Sequence, residues 1–205
     1  GEPVCKIAND RNYVAATCQT GDELKRIDVF AADVATGSVK VYNSIPFTEE
    51  NVKKLYGTIP NGSVICKNPG FGPEKTLDRY KITRLITDHD GSLICISERL
   101  TLLDTKNAAY YLARDAVFSY FTPDGTNSWN SMMGRYMRVF NVRGITEDWD
   151  VVKILPADDG TQLRLMTLEQ IAIGRSQGLY MRYLNKRDGT ISRAYSIPGP
   201  EFYVT

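Results

Sequence analysis

The 205-residue chain contains a single histidine, His89, and four scattered cysteines. Catalysis by a Ser or Cys nucleophile ordinarily uses a histidine base. His89 sits in Thr87-Asp88-His89-Asp90-Gly91, which reads as an exposed hairpin tip that offers little to orient the ring. No G-x-S-x-G elbow, H-E-x-x-H helix or C-x-x-C pair occurs. A structural zinc site needs about four Cys or His ligands at tight spacing, so no metal is expected. No apolar run approaches the roughly 20 residues of a membrane-spanning helix. Charge of one sign is also lacking: 25 Lys and Arg face 24 Asp and Glu, a net charge of +1. Neither terminus carries the basic arm of a genome-packing protein, and no strong nucleic-acid signal results.

Nor is there a cofactor loop. Gly70-Phe71-Gly72-Pro73-Glu74-Lys75-Thr76 ends in Lys-Thr but places Glu, not Gly, before the lysine. A carboxylate there would repel phosphate, so no cofactor is expected. Cys66 and Cys95 lie in apolar runs and read as buried thiols. A Cys5–Cys18 bridge is open if the protein is exported. Asn61-Gly62-Ser63 is the one glycosylation sequon and already has a turn explanation. The chain opens at Gly1, which reads as a processed product or a piece of something longer.

What is present is punctuation. A residue, then Gly, then Ser or Thr recurs at Thr36-Gly37-Ser38, Asn61-Gly62-Ser63, Asp90-Gly91-Ser92, Asp124-Gly125-Thr126, Asp159-Gly160-Thr161 and Asp188-Gly189-Thr190. Glycine reaches the positive φ that tight hairpins need. Strand-like runs flank four of these turns: 29–33 with 39–42, 80–86 with 93–97, 151–155 with 162–166, and 179–184 with 191–195. Alternation places Tyr80, Ile82, Arg84 and Ile86 on one face, and Lys81, Thr83 and Leu85 on the other. Four hairpins predict antiparallel sheet rather than βαβ winding.

Three segments predict helices. Residues 105–121 repeat Ala108, Leu112, Ala116 and Tyr120 at i+4. Residues 48–56 start at a Thr48 cap with Glu49 and Glu50 in the first turn. Residues 167–173 space Thr167 and Gln170 as a capping box. The stretch 122–135 reads as a polar irregular loop. The expected fold is mainly β, antiparallel hairpins forming a barrel or sandwich with two or three peripheral helices, or α+β if the helices prove larger. One domain over 1–205 is expected, with a soft boundary near 122–133.

Three functions compete. The leading one is a non-enzymatic structural or recognition domain of a larger assembly, such as a viral capsid protrusion or a phage structural protein. It would self-associate as a homo-oligomer, or meet a receptor or glycan, at a virion or outside the cell. Its contact residues would be the loop and edge aromatics Trp129, Tyr136 and Phe71. The alternative is a carboxylate-based hydrolase acting on sugars. Asp148-Trp149-Asp150 is its most open acid pair, since Glu49–Glu50 and Asp158–Asp159 already fit a helix start and a turn. The third is a nucleic-acid-binding β-domain. It would use Arg135, Arg138, Arg143, Arg182, Lys186, Arg187 and Arg193, with Tyr136, Tyr180, Tyr183 and Tyr195 interleaved. Acids are nearly as frequent in this half, so these basic residues read as an ordinary mixed surface.

Overall fold

The computed structural model describes residues 4–8, 11–33, 35–60, 75–104, 109–140, 152–157, 160–170 and 177–198. These residues form three antiparallel sheets and one helix, a β-dominated fold as the turn pattern predicts. The sheets are open, not closed into a barrel. The chain divides into two compact units, residues 1–57, 73–99 and 116–132 in the first, and 58–72, 100–115 and 133–205 in the second.

The first sheet is a meander of β1 (Val4–Ala8), β2 (Arg11–Thr20), β3 (Glu23–Asp33) and β4 (Ser38–Pro46), with β5 (Leu77–Asp78) also on β3. Leu24, Ile27 and Val29 of β3 are all buried, although Leu24 and Ile27 have opposite parity. The register explains this. Cys18 faces Arg26 and Gln19 faces Leu24, so Lys25 is an extra residue that resets the alternation. Cys5 faces Val14, and Cys18 lies four residues further along β2. At about 3.3 Å per residue that offset is about 13 Å, beyond the ~7 Å Cα reach of a disulfide. The Cys5–Cys18 bridge is thereby excluded.

Helix α1 (Glu49–Gly57) follows the sequence closely. The Thr48 hydroxyl accepts from the Asn51 amide at 3.3 Å, Glu50 pairs with Lys54 at 2.8 Å, and Val52 and Leu55 are buried. It is the only helix among the described residues.

The second sheet runs β10 (Met137–Phe140), β8 (Ala109–Phe121), β7 (Leu93–Asp104), β6 (Tyr80–Thr87), with β9 (Asn127–Met133) also on β8. β7 and β8 contribute residues to both units. The helix expected over 105–121 is therefore strand β8 from Ala109 onward, while 105–108 lie outside the described residues. The physical reason is that an i+4 stripe also satisfies a period of two. Residues 115–119 are buried at both parities, as in a central strand. The loop expected over 122–135 likewise contains β9, paired to β8. In β6 the expected face also changes. Ile82 faces Ser97 and Arg84 faces Ile96, so Thr83 is extra and Leu85 joins Tyr80 and Ile82 in the core. Thr83 donates to Glu98 at 2.8 Å instead.

The third sheet, wholly in the second unit, is ordered β11 (Val152–Pro156), β12 (Gln162–Gln170), β13 (Gln177–Asn185), β14 (Tyr195–Ser196). The helix expected over 167–173 is the end of β12, where Thr167 faces Tyr180; 171–176 lie outside the described residues.

The recurring turn signature has one mechanism. The carboxylates of Asp90, Asp124 and Asp188 accept the backbone N–H two residues on, from Ser92 at 2.8 Å, Thr126 at 3.1 Å and Thr190 at 2.9 Å. The intervening Gly91, Gly125 and Gly189 take φ of 85°, 90° and 73°. Asp supplies the acceptor and Gly the positive φ. These bonds hold two carboxyls below the usual range: Asp124 through Thr122 and then Thr126, and Asp188 through Thr190.

Candidate interaction surface

The residues expected to make contacts are separated. Trp129 on β9 is half-buried and stacks on Tyr120, with centroids 5.3 Å apart and planes 9° from parallel. Its neighbours Asn127 and Asn130 spend their amides on each other, at 2.6 Å, and on the Tyr120 carbonyl, at 3.0 Å. Tyr136, in the other unit, is 9% exposed and presents little surface. Phe71, the sequon Asn61, Cys66, Arg143 and the acids Asp148, Asp150, Asp158 and Asp159 lie outside the described residues. His89 is exposed at the β6–β7 tip. Cys95 is a buried free thiol, pushed up to about 12 by burial. Among the described residues no cluster of His, Cys, Asp and Glu could hold a metal.

Two arginines expected at a mixed surface are buried. Arg135 is 0% exposed, and its Nε donates to the Arg114 carbonyl at 2.7 Å. Arg182 is 2% exposed and grips the carboxylate of buried Glu169 with both terminal nitrogens, one at Oε1 and one at Oε2 at 3.0 Å. Thr167 donates to the same carboxylate at 2.5 Å. Arg182 reaches Thr167 Oγ1 at 3.3 Å and the Gly134 carbonyl at 3.4 Å. Such a fork matches the guanidinium plane to the carboxylate. Tyr180 lies beside this pair. Burial, then the Glu169 charge, raises its phenol, and Arg182 partly offsets this. The pair ties β12 to β13 on the inner side of the sheet.

This cluster occupies the inner face of the third sheet, and the outer face is the unusual one. Alternation with the observed burial puts Leu163, Leu165, Thr167 and Glu169 of β12 inside, and Gln162, Arg164, Met166 and Leu168 outside. On β13, Arg182 and Leu184 are inside; Leu179, Met181 and Tyr183 are outside. Leu155 on β11, 46% exposed, and Tyr195 on β14, 54% exposed, extend this outer layer to both edges. Tyr183 and Tyr195 meet edge to face at 6.2 Å. A sheet with one face in water should alternate apolar and polar residues. Here apolar residues predominate in the outer layer, beside Gln162, Arg164 and Lys153, and they are half-buried or exposed. Its charges are Lys153 and Arg164; none of the described acids projects from it.

The signal for this face was present as apolar residues at both parities, in Leu163, Leu165, Met166 and Leu168 and again in Leu179, Met181 and Leu184. Two-sided apolar strands also describe a fully buried sheet, so the pattern alone does not distinguish the two.

No family model matches the chain, and no curated protein matches it. One solved structure, a GH43 beta-1,3-galactosidase, is similar over 97% of this chain and 45% of its own, at 8% identity and a TM-score of 0.25. This chain thus spans less than half of that protein's length. A likeness of that size establishes neither a shared fold nor a shared activity.

Proposed function

We propose that the chain is a non-enzymatic structural or recognition domain that self-associates within a larger assembly, of the kind a capsid protrusion or phage structural protein would use. The observation that supports this reading is the apolar outer face of the sheet β11–β14, built around Met166, Met181, Tyr183 and Tyr195. Contiguous apolar surface at a sheet face marks protein contact, and methionine and tyrosine suit it. The buried Arg182–Glu169 pair ties β12 to β13 behind that face.

The test is solution mass by light scattering with in-line size exclusion, as a concentration series at low salt and at 0.5 M salt. An apolar contact persists when exposed charges are screened over a few ångströms. A mass above the monomer at both salts is expected. A monomer at every concentration, or turnover of a defined substrate that one point substitution abolishes, would sink the reading.

A further inference from the structure

We propose that Asn43 is a self-modification site: its carboxamide closes on the Ser44 backbone nitrogen, loses ammonia and converts slowly to aspartate or isoaspartate. The reaction needs only water, and it unties the first sheet from the β8–β9 turn. It is independent of the self-association reading above.

The argument is in where the carboxamide points. The Ser44 N–H donates to Asn43 Oδ1 at 2.6 Å, and Asn43 Nδ2 donates to the Gly125 carbonyl at 2.6 Å. These two bonds fix which end of the amide is oxygen. A carbonyl carbon lies about 1.23 Å from its oxygen, so the Ser44 nitrogen stands within about 3.8 Å of Asn43 Cγ. Reacting atoms held at about 3–3.5 Å are in near-attack range. Asn43 is half-buried and Ser44 exposed, so water reaches the site.

The chain carries its own comparison. Asn-Ser occurs at 43–44, 127–128 and 130–131, so local sequence is the same and geometry differs. Asn127 and Asn130 turn their carboxamides onto each other, Asn130 Nδ2 to Asn127 Oδ1 at 2.6 Å and Asn127 Nδ2 to Asn130 Oδ1 at 3.3 Å. Asn185 Oδ1 takes the amide two residues on, from Arg187 at 2.9 Å, the ordinary turn contact. Asn43 takes the amide of the very next residue. Asp88 does the same with His89 at 2.9 Å, but a carboxylate is a poor electrophile.

Ring closure swings the backbone at Asn43, which a regular ladder would resist. The ladder is irregular there. Val29 faces Asn43 and Phe30 faces Val41, so Tyr42 is an extra residue beside the site. Among the described strands β4 pairs with β3 alone. A bulge at a sheet edge interrupts pairing and re-aims the neighbouring side chains.

The step balances with water as the one co-reactant. The Ser44 nitrogen gives its proton to water or hydroxide and bonds to Asn43 Cγ. The Cγ–Nδ2 bond breaks, and the nitrogen takes a proton from water and leaves as ammonia. A five-membered imide results. Water attack at Cγ opens it to aspartate. Attack at the main-chain carbon opens it to isoaspartate, whose main chain is one methylene longer. Neither product carries an N–H for the Gly125 carbonyl, so the tie between β4 and the β8–β9 turn, both in the first unit, is lost.

The experiment ages the full chain in mildly alkaline buffer, folded and in urea, and follows each site by peptide mapping with tandem mass spectrometry. Trypsin separates 41–53 from 115–135. Asn43 in the folded chain is expected to convert about tenfold or more faster than Asn127 and Asn130, and the three rates are expected to converge in urea. Equal rates in the folded chain would overturn the proposal. So would a lead at Asn43 that persists in urea, since that places the cause in local sequence. Asn43→Asp supplies the direct product. Hydrogen exchange over 122–126 is expected to quicken about fivefold in it, the effect of one net hydrogen bond, with exchange over 93–97 unchanged. Exchange over 122–126 that matches the parent would overturn the untying.

Discussion

The buried pair Arg182–Glu169 makes an asymmetric prediction. Glu169→Leu leaves a guanidinium inside the sheet that cannot give up its proton. Removing one partner of a buried pair costs about 3–5 kcal/mol. Because the stranded ion has no neutral form, this loss should be flat between pH 5 and pH 8. Arg182→Met instead strands a carboxylate, which can escape by taking a proton. The ceiling on that cost is the work of protonating an ordinary glutamate: about 2.7 pH units at about 1.4 kcal/mol each, or ~3.7 kcal/mol at pH 7. Taking up that proton is easier at lower pH, so the electrostatic penalty shrinks to about 1 kcal/mol at pH 5. About 1 kcal/mol more is expected at any pH for the bond lost at the Gly134 carbonyl. The double variant Glu169→Leu/Arg182→Met should recover most of the stability, since apolar replacement of a whole buried pair is often neutral or better. Urea unfolding followed by far-UV circular dichroism at pH 5, 6, 7 and 8 measures the losses. Hydrogen exchange over 162–170 and 177–185 assigns them to this sheet. An Arg182→Met loss as large at pH 5 as at pH 7, or a double variant as unstable as the sum of the singles, would refute the reasoning.

Three further outcomes follow from other parts of the chain. A Cβ added at Gly178 would stand 3.0 Å from Tyr180 Cε2, so Gly178→Ala should displace that ring and destabilise by about 1 kcal/mol in thermal melts. The Cys95 thiol, raised by burial, should resist alkylation at pH 8 in the folded protein and react once it is unfolded, as read by peptide mapping. Its raised value also means stability is complete below the ordinary thiol range and is lost as pH climbs toward about 12. Thr48→Ala removes the cap of α1 and should cost about 1 kcal/mol, visible as faster exchange of the first-turn amides of 49–52.

The hairpins were legible in the sequence because their chemistry is local. Asp90-Gly91-Ser92 and Asp188-Gly189-Thr190 each contain the acceptor, the positive-φ residue and the donor of the turn, and the strands on either side pair in the expected order. Helix α1 was legible for the same reason: Thr48, Glu49, Glu50 and Lys54 carry their own start and charge signals.

What needed the tertiary structure was every feature that a distant partner decides. The stripe Ala108, Leu112, Ala116, Tyr120 fits helix and strand equally, and pairing with β7, β9 and β10 makes Leu112, Ala116 and Tyr120 part of a strand. The bulges at Lys25 and Thr83 are invisible along one strand, because an extra residue exists only relative to the strand opposite. Arg182 looks like a surface cation in sequence; Glu169, thirteen residues away, is what makes its burial tolerable. The outer face of β11–β14 emerges only once the register lines up Met166 with Met181 and Arg164 with Tyr183. A sequence states which residues are apolar, but which of two apolar faces meets the core is fixed by packing across strands.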